Sequence, residues 1–362
     1  MRLEPTPGSP AARGYRRRAE WAPHACTWLV WPHCPDTWPG LDLDATIAPA
    51  YVAMIDALRT GEAVRVVVQS ADHAEAVRQR LTEAGIASAV ASELAEGPGE
   101  GGVHLHVWPT DDEWIRDFGA LVVVDGEGNR LATDWVFNAW GGKYDRTEQN
   151  NTVPEAMAAV HGLPRVPFEI VFEGGSVDVN GAGLAMTTES CLLNPNRNPG
   201  LSKADVEQRL LDGLGVTETI WLGDGIAGDD TDGHVDDFAR FVGERTVVVA
   251  TEPDPTDANH TPLAHAADRL RAWRGRDGRG LDVHTLPMPP ALCHEGERLP
   301  ASYANFLIGN AAVLMPAFGV PQDDHAADTL ERVTGRPVAR IPARHLVWGL
   351  GACHCLSQDV PA

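Results

Sequence analysis

The sequence predicts an α/β protein built from one strand–hairpin–helix unit repeated along the chain, and three observations predict it. Short apolar runs of strand type alternate with segments whose apolar residues recur about every 3.6 positions. A hairpin recurs: DFGALVVVDGEGNRLATDW, EGGSVDVNGAGLAMTTES, HVDDFARFVGERTVVVATE and YANFLIGNAAVLMPAFG each read as strand, tight turn rich in Gly, Asn or Asp, and second strand. Each hairpin opens on a polar residue (Asp117, Glu173, His234, Asn305), and Cys355 near the C-terminus is a fifth opener, at spacings of 56, 61, 71 and 50 residues. An irregular period near sixty points to one repeated unit. Five such units closing on a central axis would bring the five openers together.

The elements follow in order. MRLEPTPGSPAARGYRRRAEW carries arginines without an apolar core behind them, so it is not a secretory signal. Residues 1–20 read as a flexible N-terminal tail, and residues 21–362 as a single domain. TWLVWP is the first strand, and ATIAPAYVAMIDALRT (45–60) has helical spacing and stops before Gly61. AVRVVVQS is a strand, ADHAEAVRQRLTEA (71–84) a helix, GPGEGG (97–102) a loop and VHLHVWP a strand. After the first two hairpins, SKADVEQRLLDGLG opens on Ser202 as an N-cap and leads to the strand TETIWLG. The third hairpin is followed by the helix TPLAHAADRLRAWR (261–274) and the strand LDVHTLPM. The fourth is followed by the helix DHAADTLERVTGR (324–336) and the strand PVARIPA.

Composition narrows the function classes. Hydrophobic residues make up 43% and charged residues 22% of 362, as in a soluble globular protein with a sizeable core. Asp plus Glu outnumber Lys plus Arg by 51 to 29, a formal charge of −22. That balance disfavours nucleic acid, whose phosphates need a basic face, and suits a small cation. No apolar run reaches the length of a membrane span. Six cysteines in so long a chain do not make a disulfide framework, so a reducing cytoplasm is expected.

Four stretches hold residues fit for chemistry. DTDGHVDDFARF (230–241) is the densest polar stretch beside an apolar strand. If it is extended, His234 and Asp236 project to one side, a proton-transfer group beside a cation-binding carboxylate. The alternative is a solvated acidic strand. EWIRDFG (113–119) sets Trp114 and Asp117 around a turn. An aromatic face with a carboxylate suits a planar guanidinium, while the alternative is an Arg116–Asp117 surface pair with Trp114 in the core. FEGGS places Glu173 before two glycines that permit close backbone approach, so Glu173 either orients a histidine or is a turn residue.

The fourth is GLGACHCLSQ (349–358). A zinc site of Cys353, His354 and Cys355 with Cys293 and His294 would lack the usual ligand spacing. A Cys353–Cys355 disulfide would close a small strained ring. If the segment is extended, both thiols point to one side and Cys353 can capture an oxidised Cys355. The alternative is Cys353 buried as a small hydrophobe. The glycine-rich approach and the company of His234, Glu173 and two Asp openers support a nucleophilic cysteine.

The same residues carry a family resemblance. WIRDFG, FNAWGGKY, FEGGS, LLNPNRNP, DTDGHVDDFARF, SYANF and GACHCLSQ resemble the agmatine deiminase and Porphyromonas-type peptidylarginine deiminase family of guanidino-modifying enzymes, from EWAPHACTWLVWPH to the C-terminus. The resemblance implies a five-bladed, pseudo-fivefold α/β propeller of ββαβ units (the pentein type), with 21–362 as a single deiminase catalytic domain. It implies Cys355 as nucleophile, since HCLSQ matches the family's HCITQ. It also implies that Asp117 and Asp236 hold the guanidinium nitrogens, and that His234 is general acid and base, oriented by Glu173. Trp114 would line the pocket and Asn305 would support the cysteine or substrate. The implied reaction takes agmatine and water to N-carbamoylputrescine and ammonia through a thiouronium on the cysteine. No metal or cofactor is implied, and the setting is cytoplasmic polyamine synthesis, with a homo-oligomer left open.

Two departures are local: Ala120 follows RDFG where the family often has Pro, and GLGA replaces GGGN. The stretch VFNAWGGKY holds no arginine for a substrate carboxylate, which favours agmatine or another guanidinoalkyl amine. The alternatives are a deiminase or amidinotransferase acting on another guanidino compound, a zinc-dependent amidohydrolase, or a non-catalytic binding protein.

Overall fold

The computed structural model describes residues 3–93, 101–145 and 147–362, so most of GPGEGG lies outside the described residues. The fold is mixed α/β, and five sheets share one wiring: an antiparallel strand pair, a helix, and a third strand parallel to the second. Leu121–Val124 pairs with Arg130–Val136, helix Val153–Val160 follows, and Arg165–Val171 returns. Val177–Val179, Leu184–Thr187 and Glu218–Trp221 repeat the pattern through helix Lys203–Leu214. Ala239–Phe241, Thr246–Thr251 and Asp282–Pro287 do so through His260–Ala272. Leu307–Ile308, Val313–Ala317 and Val338–Pro342 do so through Gln322–Thr334.

The fifth sheet joins the chain ends. The last strand, Ser357–Pro361, runs antiparallel to His24–Val30, which in turn lies parallel to Ala63–Val68. Helix Ala48–Leu58 makes that crossover, and strands Val103–Val107 and Ser88–Val90 extend the sheet. Closing the ends together leaves no unpaired terminal unit.

The helices form where their spacing and caps direct. Ser202 accepts from the backbone of Asp205, whose carboxylate returns the bond to complete a capping box, and Gly215 ends the helix at φ 71°. The buried side is Val206, Leu210, Leu211 and Leu214. The strand and helix expectations hold to within a few residues. Helix Val153–Val160 was not expected: its eight residues, with Pro154 in the first turn, give little periodicity to read.

The flexible tail is a correction. Arg16–Arg17 is a strand paired with Leu121–Val124, and the Thr6 amide and hydroxyl each donate to the Asp212 carboxylate at 2.7 Å. The Arg17 guanidinium is buried against Asp359 and donates to the Val122 carbonyl at 3.0 Å. Of the arginines that suggested solvation, Arg17 is thus paired with buried acceptors.

Burial pushes the Asp359 carboxyl up, but Arg17, His24 and Arg116 outweigh it and hold it below the usual range. A lowered carboxylate contributes stability above its unfolded pKa and loses it as pH falls through the folded value. Arg17→Ala should therefore cost about 3 kcal/mol at neutral pH, because it removes one partner of a buried ion pair. The cost should shrink on acidification through the carboxylate range, as urea unfolding midpoints would record. An equal cost at all pH values would contradict this account.

Candidate active site

The five polar openers occupy equivalent places, each just ahead of the first strand of a sheet. Asp117 lies in the turn Ile115–Phe118, Glu173 precedes the turn Gly174–Ser176, and His234 caps the turn Val235–Asp237. Asn305 and Cys355 stand two residues before Leu307 and Ser357. All five are buried. The glycines of FEGGS allow the approach. A Cβ on Gly174 would lie 2.1 Å from the Arg116 carbonyl oxygen, and one on Gly175 would lie 2.7 Å from His234 Nδ1 and 2.9 Å from Asp117 Oδ1.

The openers converge as the sequence predicts. Asn305 Nδ2 lies 2.9 Å from Cys355 Sγ and also donates to Asp237 Oδ1 at 2.9 Å. Cys355 Sγ is 3.8 Å from Asp236 Oδ2. His234 Nδ1 is 3.8 Å from Asp117 Oδ1, and Nε2 is 4.0 Å from Glu173 Oε2. Neither imidazole nitrogen has a hydrogen-bond partner, nor have Glu173 Oε2 and Asp236 Oδ1. Asp117 accepts from Trp140 Nε1 at 2.8 Å and from the Gly175 amide at 2.9 Å. Glu173 accepts from Arg197 Nε at 2.6 Å.

Electrostatics follow from this crowding. Burial, then the charge of Asp236, pushes the Asp117 carboxyl well above its ordinary value. Burial also raises Glu173 against the pull of Arg197. Burial, with Asp236, Asp237 and Asp117 nearby, raises the Cys355 thiol. Burial pushes the His234 imidazole down to about 3, so it is neutral at pH 7. For Asp236, burial is outweighed by the His354 hydrogen bond and charge, which hold it below the usual range.

A cavity of about 250 Å³ reaches this cluster, lined by Cys355 and Asp117 at its buried end. Trp114, Trp140, Tyr144 and Trp348 wall it, and Asp36, Asp112 and Asp230 also line it. Its lining among the described residues includes no Lys or Arg. The loop carrying Trp140 is fastened across the cavity by Tyr144 Oη to Asp230 at 2.6 Å and Lys143 Nζ to Asp232 at 3.0 Å.

Several local expectations change. His234 and Asp236 are carried by a 3-10 turn and its cap, not by an extended strand, yet both reach the cluster: a Cβ on Gly175 would lie 2.7 Å from His234 Nδ1 and 3.0 Å from Asp236 Oδ2. Arg116 is not a surface partner of Asp117: it is buried and donates to the His354 carbonyl at 3.2 Å. Residues 353–356 form a turn, with the Leu356 amide on the Ala352 carbonyl, which removes the extended geometry that would align two thiols. Cys353 lies in the main apolar core, and burial raises its thiol. The zinc clip is not assembled either. Cys293 is exposed and His294 stacks on Trp348 at 3.8 Å. Among the described residues the possible metal-holding groups are Glu173–Cys191–His234 and Asp236–Asp237–Cys355.

Trp140, Arg197 and His354 were missed as site residues. Trp140 had one available signal, its place in FNAWGGKY, a stretch that carries the resemblance; there Ala139 and Trp140 take positive φ (53° and 52°) ahead of two glycines. Arg197 in LLNPNRNP and His354 in GACHCLSQ likewise lie in stretches that carry the resemblance, but their partners are distant in sequence, so nothing local assigned them a role.

Known proteins resemble this chain along nearly its whole length. The profile of the Porphyromonas-type peptidyl-arginine deiminase family matches residues 16–361. The agmatine deiminase of Ectopseudomonas mendocina is 37% identical over 379 residues, covering 98% of this chain and 97% of that protein. The structure of an agmatine deiminase of Enterococcus faecalis superposes with TM-score 0.87 at 29% identity, covering 99% of each chain. An agmatine deiminase of C. jejuni with substrate bound gives 0.82 at 28%, covering 96% of each. Among the described residues, no helix is long and apolar enough to cross a membrane.

The positions of the cysteines make a direct prediction. Iodoacetamide treatment of the native protein should label exposed Cys293 first, label cavity-lining Cys355 slowly because its thiol is held protonated, and leave Cys353 unlabelled. Mild peroxide should give no 353–355 disulfide. Peptide mapping checks both, and labelling of Cys353 at the rate of Cys355 would count against the assignment of Cys353 to the core.

Proposed function

The chain belongs to the Porphyromonas-type peptidyl-arginine deiminase family, and from that premise we propose that it hydrolyses agmatine to N-carbamoylputrescine and ammonia. The observation that carries the reading is a buried cysteine among buried carboxylates, of which Asp117 and Asp237 have only neutral donors, at the end of a cavity sized for a small guanidino compound. We infer that the five sheets are the blades of a five-bladed α/β propeller and that its axis passes through the cluster. Shared wiring and the joined chain ends support this. The catalytic domain then includes the N-terminal segment from residue 16 onward.

Asp117 and Asp236 hold the guanidinium nitrogens, a charge-assisted contact. Trp114 and Trp140 flank the plane of the group. Cys355 Sγ attacks the guanidinium carbon. The thiol proton passes through neutral His234 to the departing nitrogen, and ammonia leaves a thiouronium on Cys355. Water then adds to that carbon and gives its proton to His234. The C–S bond breaks, the departing sulfur takes the remaining hydroxyl proton, and the ureido product and the Cys355 thiol form. Glu173, fastened by Arg197, steadies the imidazole when it is charged. Asn305 holds the sulfur with a hydrogen bond. The substrate's far ammonium lies among Asp36, Asp112 and Asp230, an arrangement that favours an amine over an α-carboxylate. Six free cysteines fit a cytoplasmic setting.

Cys355→Ala should abolish turnover while the fold survives. The assay is mass spectrometry for ureido product after incubation with agmatine, and turnover by the variant would end the mechanism. Asp117→Asn or Asp236→Asn should each lower kcat/KM at least about tenfold, since a hydrogen bond to a charged group contributes roughly 1.5–3 kcal/mol. Wild-type kinetics in both would remove the clamp.

A pH dependence follows from Asp117. A raised carboxyl is ionised only at higher pH, and a cation binds the ionised form. KM for agmatine should therefore rise as pH falls, and Asp117→Asn should flatten that limb. A KM that falls on acidification would contradict the direction of the Asp117 shift.

A further inference from the structure

Behind the cavity, one imidazole joins two carboxylates from distant parts of the chain. His354 Nδ1 lies 2.5 Å from Asp236 Oδ2, and Nε2 lies 2.8 Å from Glu20 Oε2. All three residues are buried. Glu20 is itself immobilised: its other oxygen accepts from Arg240 at 2.8 Å and from the Ile308 amide at 2.8 Å. The His354 backbone is pinned as well, its N–H to the Asn305 side-chain oxygen at 3.1 Å and its carbonyl to Arg116 Nε at 3.2 Å. The remaining charges around the ring are Arg116, whose Nη2 is 3.5 Å from Glu20, and Asp178, which faces Arg240.

We propose that Glu20 and His354 are a positioning pair, which holds Asp236 Oδ2 beside Cys355 and so fixes this carboxylate for the substrate's guanidinium. The proposal rests on the guanidino-hydrolase reading above. An ionised carboxylate only accepts hydrogen bonds, so a ring between two of them donates from both nitrogens. Asp236 then has one oxygen committed to His354, while Oδ1 is buried and unpartnered. The same bond restrains a competitor. Asp236 Oδ2 is the oxygen 3.8 Å from Cys355 Sγ, and donation from His354 weakens its pull on the thiol proton. Glu20 supplies the counter-charge that keeps the ring in place. A residue from the segment ahead of the first sheet thereby sets the geometry of a carboxylate in the third unit.

Two substitutions separate positioning from simple cross-linking. Asn places its amide nitrogen near the ring's Nδ1, so His354→Asn keeps a donor to Asp236 and loses Glu20. Gln reaches the Nε2 position, so His354→Gln keeps Glu20 and loses Asp236. The readout is the rate of Cys355 alkylation by chloroacetamidine, a cation shaped like the guanidinium, divided by the rate with neutral iodoacetamide. Melting temperatures would establish that the variants are folded.

His354→Gln should lower this ratio at least about tenfold, the scale of a lost charge-assisted hydrogen bond, and His354→Asn by less than about threefold. Equal ratios in the two variants, or the larger loss in His354→Asn, would overturn the proposal in favour of a plain structural link. Should His354→Gln not fold, Glu20→Gln carries the test: a ratio lowered by at least about threefold supports the pair, and an unchanged ratio overturns it. The readout needs no turnover. Failure of the wild-type protein to convert agmatine would count against the proposed reaction alone, and the alkylation ratio would still decide the pair.

Discussion

Carboxylates are buried around one cysteine with too little positive charge among them, and the rest of the structure depends on that imbalance. Asp117, Glu173, Asp236 and Asp237 are all removed from solvent. Arg197 answers Glu173, and His354 answers Asp236. Asp117 has only neutral donors, the Trp140 and Gly175 N–H groups, and Asp237 has the Asn305 amide. A buried charge without a partner is costly, so such groups take up protons or await a counter-ion. Both Asp117 and Asp237 are pushed up accordingly. A planar cation with several N–H donors removes the imbalance and satisfies the empty acceptors together.

The fold holds that arrangement by using one position in each of five sheets. Each opener precedes a first strand, so its backbone is fixed by the sheet behind it while its side chain faces the shared centre. Joining the last strand to the first keeps the Cys355 unit from fraying. Around the centre, buried ion pairs tie the units to one another: Glu20 to Arg240, and Arg17 and Arg116 to Asp359. These contacts are long-range in sequence, so the site's geometry belongs to the closed chain and not to any single unit.

That distinction explains what could be read in advance. Apolar periodicity and turn chemistry are local, so the strands and helices were legible, and the polar residue opening each hairpin marked the site. Contacts made across units leave no local trace. Glu20 looked like part of a charged tail because nothing near it in sequence reveals Arg240, Ile308 or His354 as partners. His234 and Asp236 were read on a strand because HVDDFARF alternates well enough, yet the chain makes a 3-10 turn before the strand begins at Ala239. Cys353 and Cys355 look equivalent in sequence. The turn at 353–356 sends one into the core and the other to the cavity.

Under the proposed reading, the imbalance also times the chemistry. With the cavity empty, burial and three nearby carboxylates hold the Cys355 thiol protonated, and burial holds His234 neutral. A neutral imidazole can accept a proton but has no reason to take one from a thiol whose anion would face Asp236, Asp237 and Asp117. A bound guanidinium reverses that sign, because the thiolate then forms against a cation and the carboxylates are already paired. Deprotonation becomes favourable only when the electrophile is in place. A thiol that stays protonated in the empty enzyme is also a poorer target for stray oxidants, since the thiolate is the reactive form. The substrate's charge is thus part of the catalytic apparatus. A neutral analogue of the same shape would fill the cavity and leave the nucleophile unformed.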